Sequence, residues 1–95
     1  ITGCPKVRCM ELIEELESVR RSLFYGSCGY LDQRGNLDLN ILIRTLLYVK
    51  PSDSDIAQVY GQVGAGIVAD SEPEQEWYES LNKAEAQIAA LQFKP

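Results

Sequence analysis

The sequence predicts an α+β fold, a two-layer α/β sandwich in which two helices cover one antiparallel sheet in the order α-β-β-β-α. Three observations carry that prediction. Apolar residues recur at helical spacing near both ends of the chain, a long middle stretch alternates at strand period, and turn-forming sequences separate the middle segments. The 95 residues, 45% apolar and 24% charged, have the composition of one ordinary globular domain.

The first helix is expected to follow the loop Thr2-Gly3-Cys4-Pro5, with Thr2 as a cap and Pro5 early in the helix, where a missing N–H costs nothing. It should run to about Val19, with Cys9, Met10, Leu12, Ile13 and Leu16 on one face and Glu11, Glu14, Glu15 and Glu17 over much of the rest. Phe24 to Leu31 reads as the first strand, ending in the turn Asp32-Gln33-Arg34-Gly35. Leu37 to Val49 then alternates almost without error, placing Leu37, Leu39, Ile41, Ile43, Thr45, Leu47 and Val49 on one face, and reads as the central strand. Lys50 to Asp55 is a polar loop, and Gln58 to Val68 resumes β character as the third strand of a meander. Ser71 with Glu74 suggests a capping box for a last helix reaching about Gln92, with Pro73 in its first turn and Trp77, Leu81, Ala84, Ile88 and Leu91 as its apolar stripe.

Composition narrows the function classes. The net charge of −5, with only nine Lys and Arg, argues against nucleic acid as a partner, and no run approaches the roughly 20 apolar residues of a membrane span. Cys4, Cys9 and Cys28 are odd in number and lack paired zinc spacing, so they read as free, buried structural thiols, with the cytoplasm as the expected location. There is no His, so acid–base work would fall to carboxylates, Lys, Tyr, Cys or a metal. Ile1 is not an initiator Met, and the chain reads as cut from something longer.

The segment from Val63 to Glu79 is the most specific place for chemistry, because two strand glycines precede a helix start rich in carboxylates. Glu76 and Glu79, three apart, are neighbours on a helix and within reach of one hard cation; a solvated acidic start favoured by the helix dipole fits the same spacing. Gly64 and Gly66 would expose backbone N–H groups to a carboxylate ligand, or mark a bulge or tight packing. Arg44, between Leu42 and Leu46, could grip a carboxylate in bidentate fashion or pair across strands with Asp38 or a helix Glu. Lys6 and Arg8 oppose the first helix's dipole and read as surface charges unless something anionic sits there.

Several segments in order, Thr2 to Glu11, Gly29-Tyr30, Ile43-Arg44-Thr45 and Gly64 to Ser71, resemble the C-terminal part of the chorismate-binding enzymes. This family includes anthranilate synthase, aminodeoxychorismate synthase, isochorismate synthase and salicylate synthase. The likeness covers nearly the whole chain except the loop Pro51 to Ile56. Within the family, the Thr-Gly-Cys-Pro-Lys wording is similar to aminodeoxychorismate synthase component I, also called para-aminobenzoate synthase component I.

The resemblance implies a transferase that makes 4-amino-4-deoxychorismate for folate synthesis from chorismate and ammonia, the ammonia coming from a glutamine amidotransferase subunit or domain. The alternatives are an anthranilate synthase component I and a non-catalytic acidic interaction module. By the same resemblance Glu76 and Glu79 hold Mg²⁺, Arg44 binds the pyruvyl carboxylate, Gly64 and Gly66 donate beside it, and Gly3 lines the cavity. Phe24 stands where Tyr or Trp is frequent, which removes a phenolic hydrogen bond. Residues 1–95 are then a C-terminal fragment of a larger anthranilate synthase-like fold, inactive alone, because the upstream portion carries a second carboxylate pair and a reactive lysine.

Overall fold

The computed structural model describes residues 1–92, in the order α1 (Lys6–Leu16), β1 (Ser27–Leu31), β2 (Leu37–Ile41), β3 (Leu46–Val49), β4 (Gln58–Gly61) and α2 (Pro73–Leu91). The α+β class and the antiparallel pairing are as expected. The strand arrangement differs: in place of one three-stranded meander there are two separate two-stranded sheets. Each belongs to its own compact unit, Ile1–Leu42 and the chain from Ile43 onward.

In the first unit, α1 is preceded by Pro5 as its N-cap residue, without a side-chain cap. Thr2 is therefore not the cap; its Oγ1 accepts a 2.6 Å hydrogen bond from Lys6 Nζ instead. The helix ends at Leu16, short of Val19, where Glu17 turns to extended backbone and its N–H closes on the Ile13 carbonyl. A Glu at a helix C-terminus faces the negative end of the dipole, and Arg21 meets that charge through Nε–Oε2 and Nη2–Oε1 bonds of 2.9 and 2.6 Å. Arg21 also donates from Nη1 to the Ile1 carbonyl at 2.9 Å and lies 5.4 Å from the Tyr25 ring centroid.

The first strand begins at Ser27 because residues before it are turned: Ser22 and Tyr25 have φ of 52° and 61°, incompatible with a strand. Strands β1 and β2 pair from Ser27↔Ile41 to Leu31↔Leu37. Their turn is built by Asp32, whose Oδ1 accepts from the N–H groups of Arg34 and Asn36 at 2.8 and 2.9 Å, while Oδ2 accepts from Asn36 Nδ2 at 2.8 Å. Those bonds, led by the Asn36 side chain, hold the Asp32 carboxyl below the usual range. Glycine is required at 29, where a Cβ would lie 1.9 Å from the Asp38 carbonyl oxygen.

In the second unit, β3 and β4 pair from Leu46↔Gly61 to Val49↔Gln58. The expected continuous strand from Leu37 to Val49 is broken ahead of β3, because Arg44 has φ 51° and Thr45 Oγ1 donates to the Ile43 carbonyl at 2.9 Å. The β character expected through Val68 stops at Gly61. Helix α2 starts with Pro73 in its first turn, as expected, but its N-cap is Glu72 and no side chain caps it.

Neither unit has an apolar core: among the described residues no hydrophobic side chain is buried, and Ser80 is the one buried residue. The helices therefore do not bury their stripes against the sheets, and Trp77 remains 62% exposed. Cys4 and Cys28 are exposed and Cys9 half-buried, so the thiols are free but not the buried structural residues expected. Among the described residues no helix is long and apolar enough to cross a membrane.

Candidate functional site

The residues singled out above fall unevenly on the fold. Arg44, Gly64, Gly66, Glu76 and Glu79 belong to the second unit, whereas Gly3 belongs to the first. Two polar clamps tie the irregular segment after β4 to α2. In one, Ser71 Oγ accepts from the Val68 N–H at 3.0 Å and donates to Glu76 Oε1 at 2.7 Å. In the other, Lys83 Nζ donates to the Gly64 carbonyl at 3.2 Å and pairs with Glu79 Oε1 at 2.5 Å. Gly64, Glu76 and Glu79 are thereby linked through Lys83, Ser71 and one face of α2.

Glu76 is half-buried and Glu79 exposed. Among the described residues Glu76 Oε2 accepts no hydrogen bond, so one oxygen is committed to Ser71 and the other is open. Glu74 and Glu76 stand in the first turn, where the helix dipole favours negative charge. No group of three or more His, Cys, Asp or Glu able to hold a metal occurs among the described residues. The pair alone still has the right chemistry for Mg²⁺, which takes hard oxygen donors and is commonly held by one or two carboxylates with water and substrate oxygens completing its shell.

Arg44 is exposed, and its guanidinium has no partner among the described residues. The cross-strand pair with Asp38 or a helix Glu is not formed. Gly66 is also exposed, and a Cβ added there would meet nothing within 4 Å, so packing within this chain does not account for the glycine. Gly64 is half-buried. At Gly3, φ is +82° and a Cβ would come 3.0 Å from Cys9 Sγ, so the loop before α1 needs glycine for its own conformation. Arg8 is paired with Glu11 at 2.9 Å, as befits a surface charge.

Of the participating side chains, Lys83 was not singled out from sequence and Ser71 was read only as a helix cap. Lys83 stands four residues after Glu79, a readable i,i+4 pair, but its second bond to Gly64 is tertiary. Ser71 pairs with Glu76 rather than with the Glu74 that capping-box spacing indicates, because the N-cap falls one residue later, at Glu72.

The chorismate binding enzyme family matches residues 1–89, and the chain belongs to that family. An anthranilate synthase component I-like protein of Synechocystis sp. is 73% identical over 92 residues, which are 97% of this chain and 18% of that protein. Anthranilate synthase component 1 of Aquifex aeolicus is 51% identical over 93 residues, covering 98% of this chain and 18% of that protein. Aminodeoxychorismate synthase component 1 of Streptomyces lividans is 43% identical over 94 residues, covering 99% and 18%. This chain thus spans under a fifth of the length of these relatives. No solved structure matches significantly.

Proposed function

We propose that this chain is the C-terminal part of a chorismate-aminating enzyme of the anthranilate synthase type, contributing one wall of the chorismate and Mg²⁺ site. The observation that carries this is the family match along residues 1–89, together with 73% identity to an anthranilate synthase component I-like protein. The 4-amino product suggested by the Thr2-Gly3-Cys4-Pro5 wording is the second reading, supported by the Streptomyces lividans relative. Anthranilate synthase names carry higher identities, so the 2-amino product takes precedence.

In this reading the unpartnered guanidinium of Arg44 binds the substrate's pyruvyl carboxylate in bidentate fashion, with backbone N–H groups of Gly64 and Gly66 beside it. Glu76 and Glu79 hold Mg²⁺, which when bound supplies Lewis-acid polarisation and a template for the ring carboxylate. Ammonia comes from a glutamine amidotransferase partner, and the enzyme works in the cytoplasm. In this reading the acid and base for loss of the hydroxyl belong to the rest of the enzyme, and residues 1–95 alone are inactive.

The test uses the full-length polypeptide with chorismate, Mg²⁺ and ammonium. Fluorescent anthranilate is the expected product. A non-fluorescent amino product that yields 4-aminobenzoate on adding a lyase would move the assignment to the 4-amino branch. No turnover, with Arg44→Ala and Glu79→Gln binding chorismate like the parent, would leave the acidic interaction module.

A further inference from the structure

We propose that Ser71 is a positioning residue for Glu76, deciding which of its carboxylate oxygens is presented to a divalent cation. The inference rests on the assignment of Glu76 as a Mg²⁺ ligand and adds to it a residue that touches neither metal nor substrate. A serine hydroxyl has one proton to give. At Ser71 the oxygen accepts the Val68 N–H at 3.0 Å, and the Ser71 N–H in turn donates to the Val68 carbonyl at 3.1 Å. This double tie fixes the hydroxyl on the backbone and leaves its proton for Glu76 Oε1, 2.7 Å away.

Glu76 is therefore held to the segment that also contains Gly64 and Gly66, while its Oε2 stays open. Glu72 and Glu74, on the same approach to α2, are exposed. A free Glu side chain loses considerable rotamer freedom on binding a metal, and a hydrogen bond that selects the rotamer beforehand reduces that loss. Partners that orient metal-binding groups in this way are worth about 10- to 100-fold in affinity.

The experiment measures Mn²⁺ binding by electron paramagnetic resonance in the full-length protein, with the Mg²⁺ concentration for half-maximal turnover as a second readout. Ser71→Ala is expected to weaken Mn²⁺ binding roughly 10-fold or more and to raise the Mg²⁺ requirement by the same factor. Ser71→Thr, which keeps the hydroxyl, should restore both to within a few-fold. Should Ser71→Ala not fold, Ser71→Cys preserves the size with a weaker donor and should fall between the two. Parent-like Mn²⁺ affinity in Ser71→Ala or Ser71→Cys, with Glu76→Ala still impaired, overturns the positioning role alone. Parent-like affinity in Glu76→Ala overturns the metal assignment and this inference with it.

Discussion

Arg21 shows how much one side chain organises where burial is slight. Its Nε and Nη2 grip Glu17, its Nη1 holds the Ile1 carbonyl, and its plane sits over Tyr25, whose ring lies 4.4 Å from that of Phe24. The hydrogen bond from Arg21 holds the Glu17 carboxyl below its usual range, with partial desolvation opposing it, and Glu17 in turn pushes the guanidinium up. Because the folded value for Glu17 is depressed, its stabilisation is fully present above the unfolded carboxylate range. It is lost as pH falls through the folded value, so the window opens below about pH 4.3. Both partners are partly exposed, which limits the contribution to roughly 0.2–1 kcal/mol. Glu17→Gln should therefore lower the melting temperature of the full-length protein slightly at neutral pH and by less at pH 3. An equal loss at both values would show that the pairing contributes through packing instead. Glu17 and Arg21 are four apart, yet the pairing is not an i,i+4 helix pair, because the helix has already ended. The extended backbone at Glu17 and the bend at Ser18 and Val19 bring them together.

At the scale of elements, periodicity located every helix and strand but joined two strands that the chain keeps apart. Leu37 to Val49 alternates almost without error, and alternation has no means of registering that Arg44 takes a left-handed backbone and ends the pairing. Arg44 has no partner among the described residues, the condition its proposed carboxylate contact requires. The helix boundaries were legible to within three residues, while capping was not, since Glu72 displaces Ser71 as N-cap. Hairpin β1–β2 offers the clearest test of a local rule. Gly29 faces Leu39, and any Cβ there would meet backbone, the Asp38 carbonyl, which cannot rotate away as a side chain would. Gly29→Ala should cost roughly 3 kcal/mol or more, at or beyond the upper end of ordinary overpacking. Gly61→Ala meets only the end of the flexible Leu46 side chain at 2.8 Å and should cost much less. Urea unfolding of the two variants in the full-length protein, followed by far-ultraviolet circular dichroism, checks the order; equal losses would contradict it.

For the whole molecule, surface area decides what the chain can do by itself. Its accessible surface is 8468 Å², whereas a folded monomer of this mass exposes about 5,500 Å². The excess includes apolar stripes a soluble domain would bury: Leu39 is 52% exposed, Trp77 62% and Ile88 52%. At about 25 cal/mol per Å² of apolar surface, so little burial cannot offset the conformational entropy of ordering the chain. Amphipathic patterning was read as burial of the helix stripes against this chain's own sheet, and the stripes stay exposed, because periodicity marks an apolar face without saying which surface covers it. In the proposed function that surface belongs to the remaining four-fifths of an enzyme like the relatives, each of which this chain matches over 18% of its length. Expressed alone, residues 1–95 should enhance 8-anilinonaphthalene sulfonate fluorescence, lose ellipticity gradually on heating, and leave chorismate unchanged. Added to a polypeptide comprising the rest of the enzyme, the same chain should lose the dye signal as the stripes are covered, and turnover should appear. A lone chain that is dye-silent and melts in one sharp transition would show a core of its own, and an acidic interaction module would then displace the enzyme fragment as the better reading.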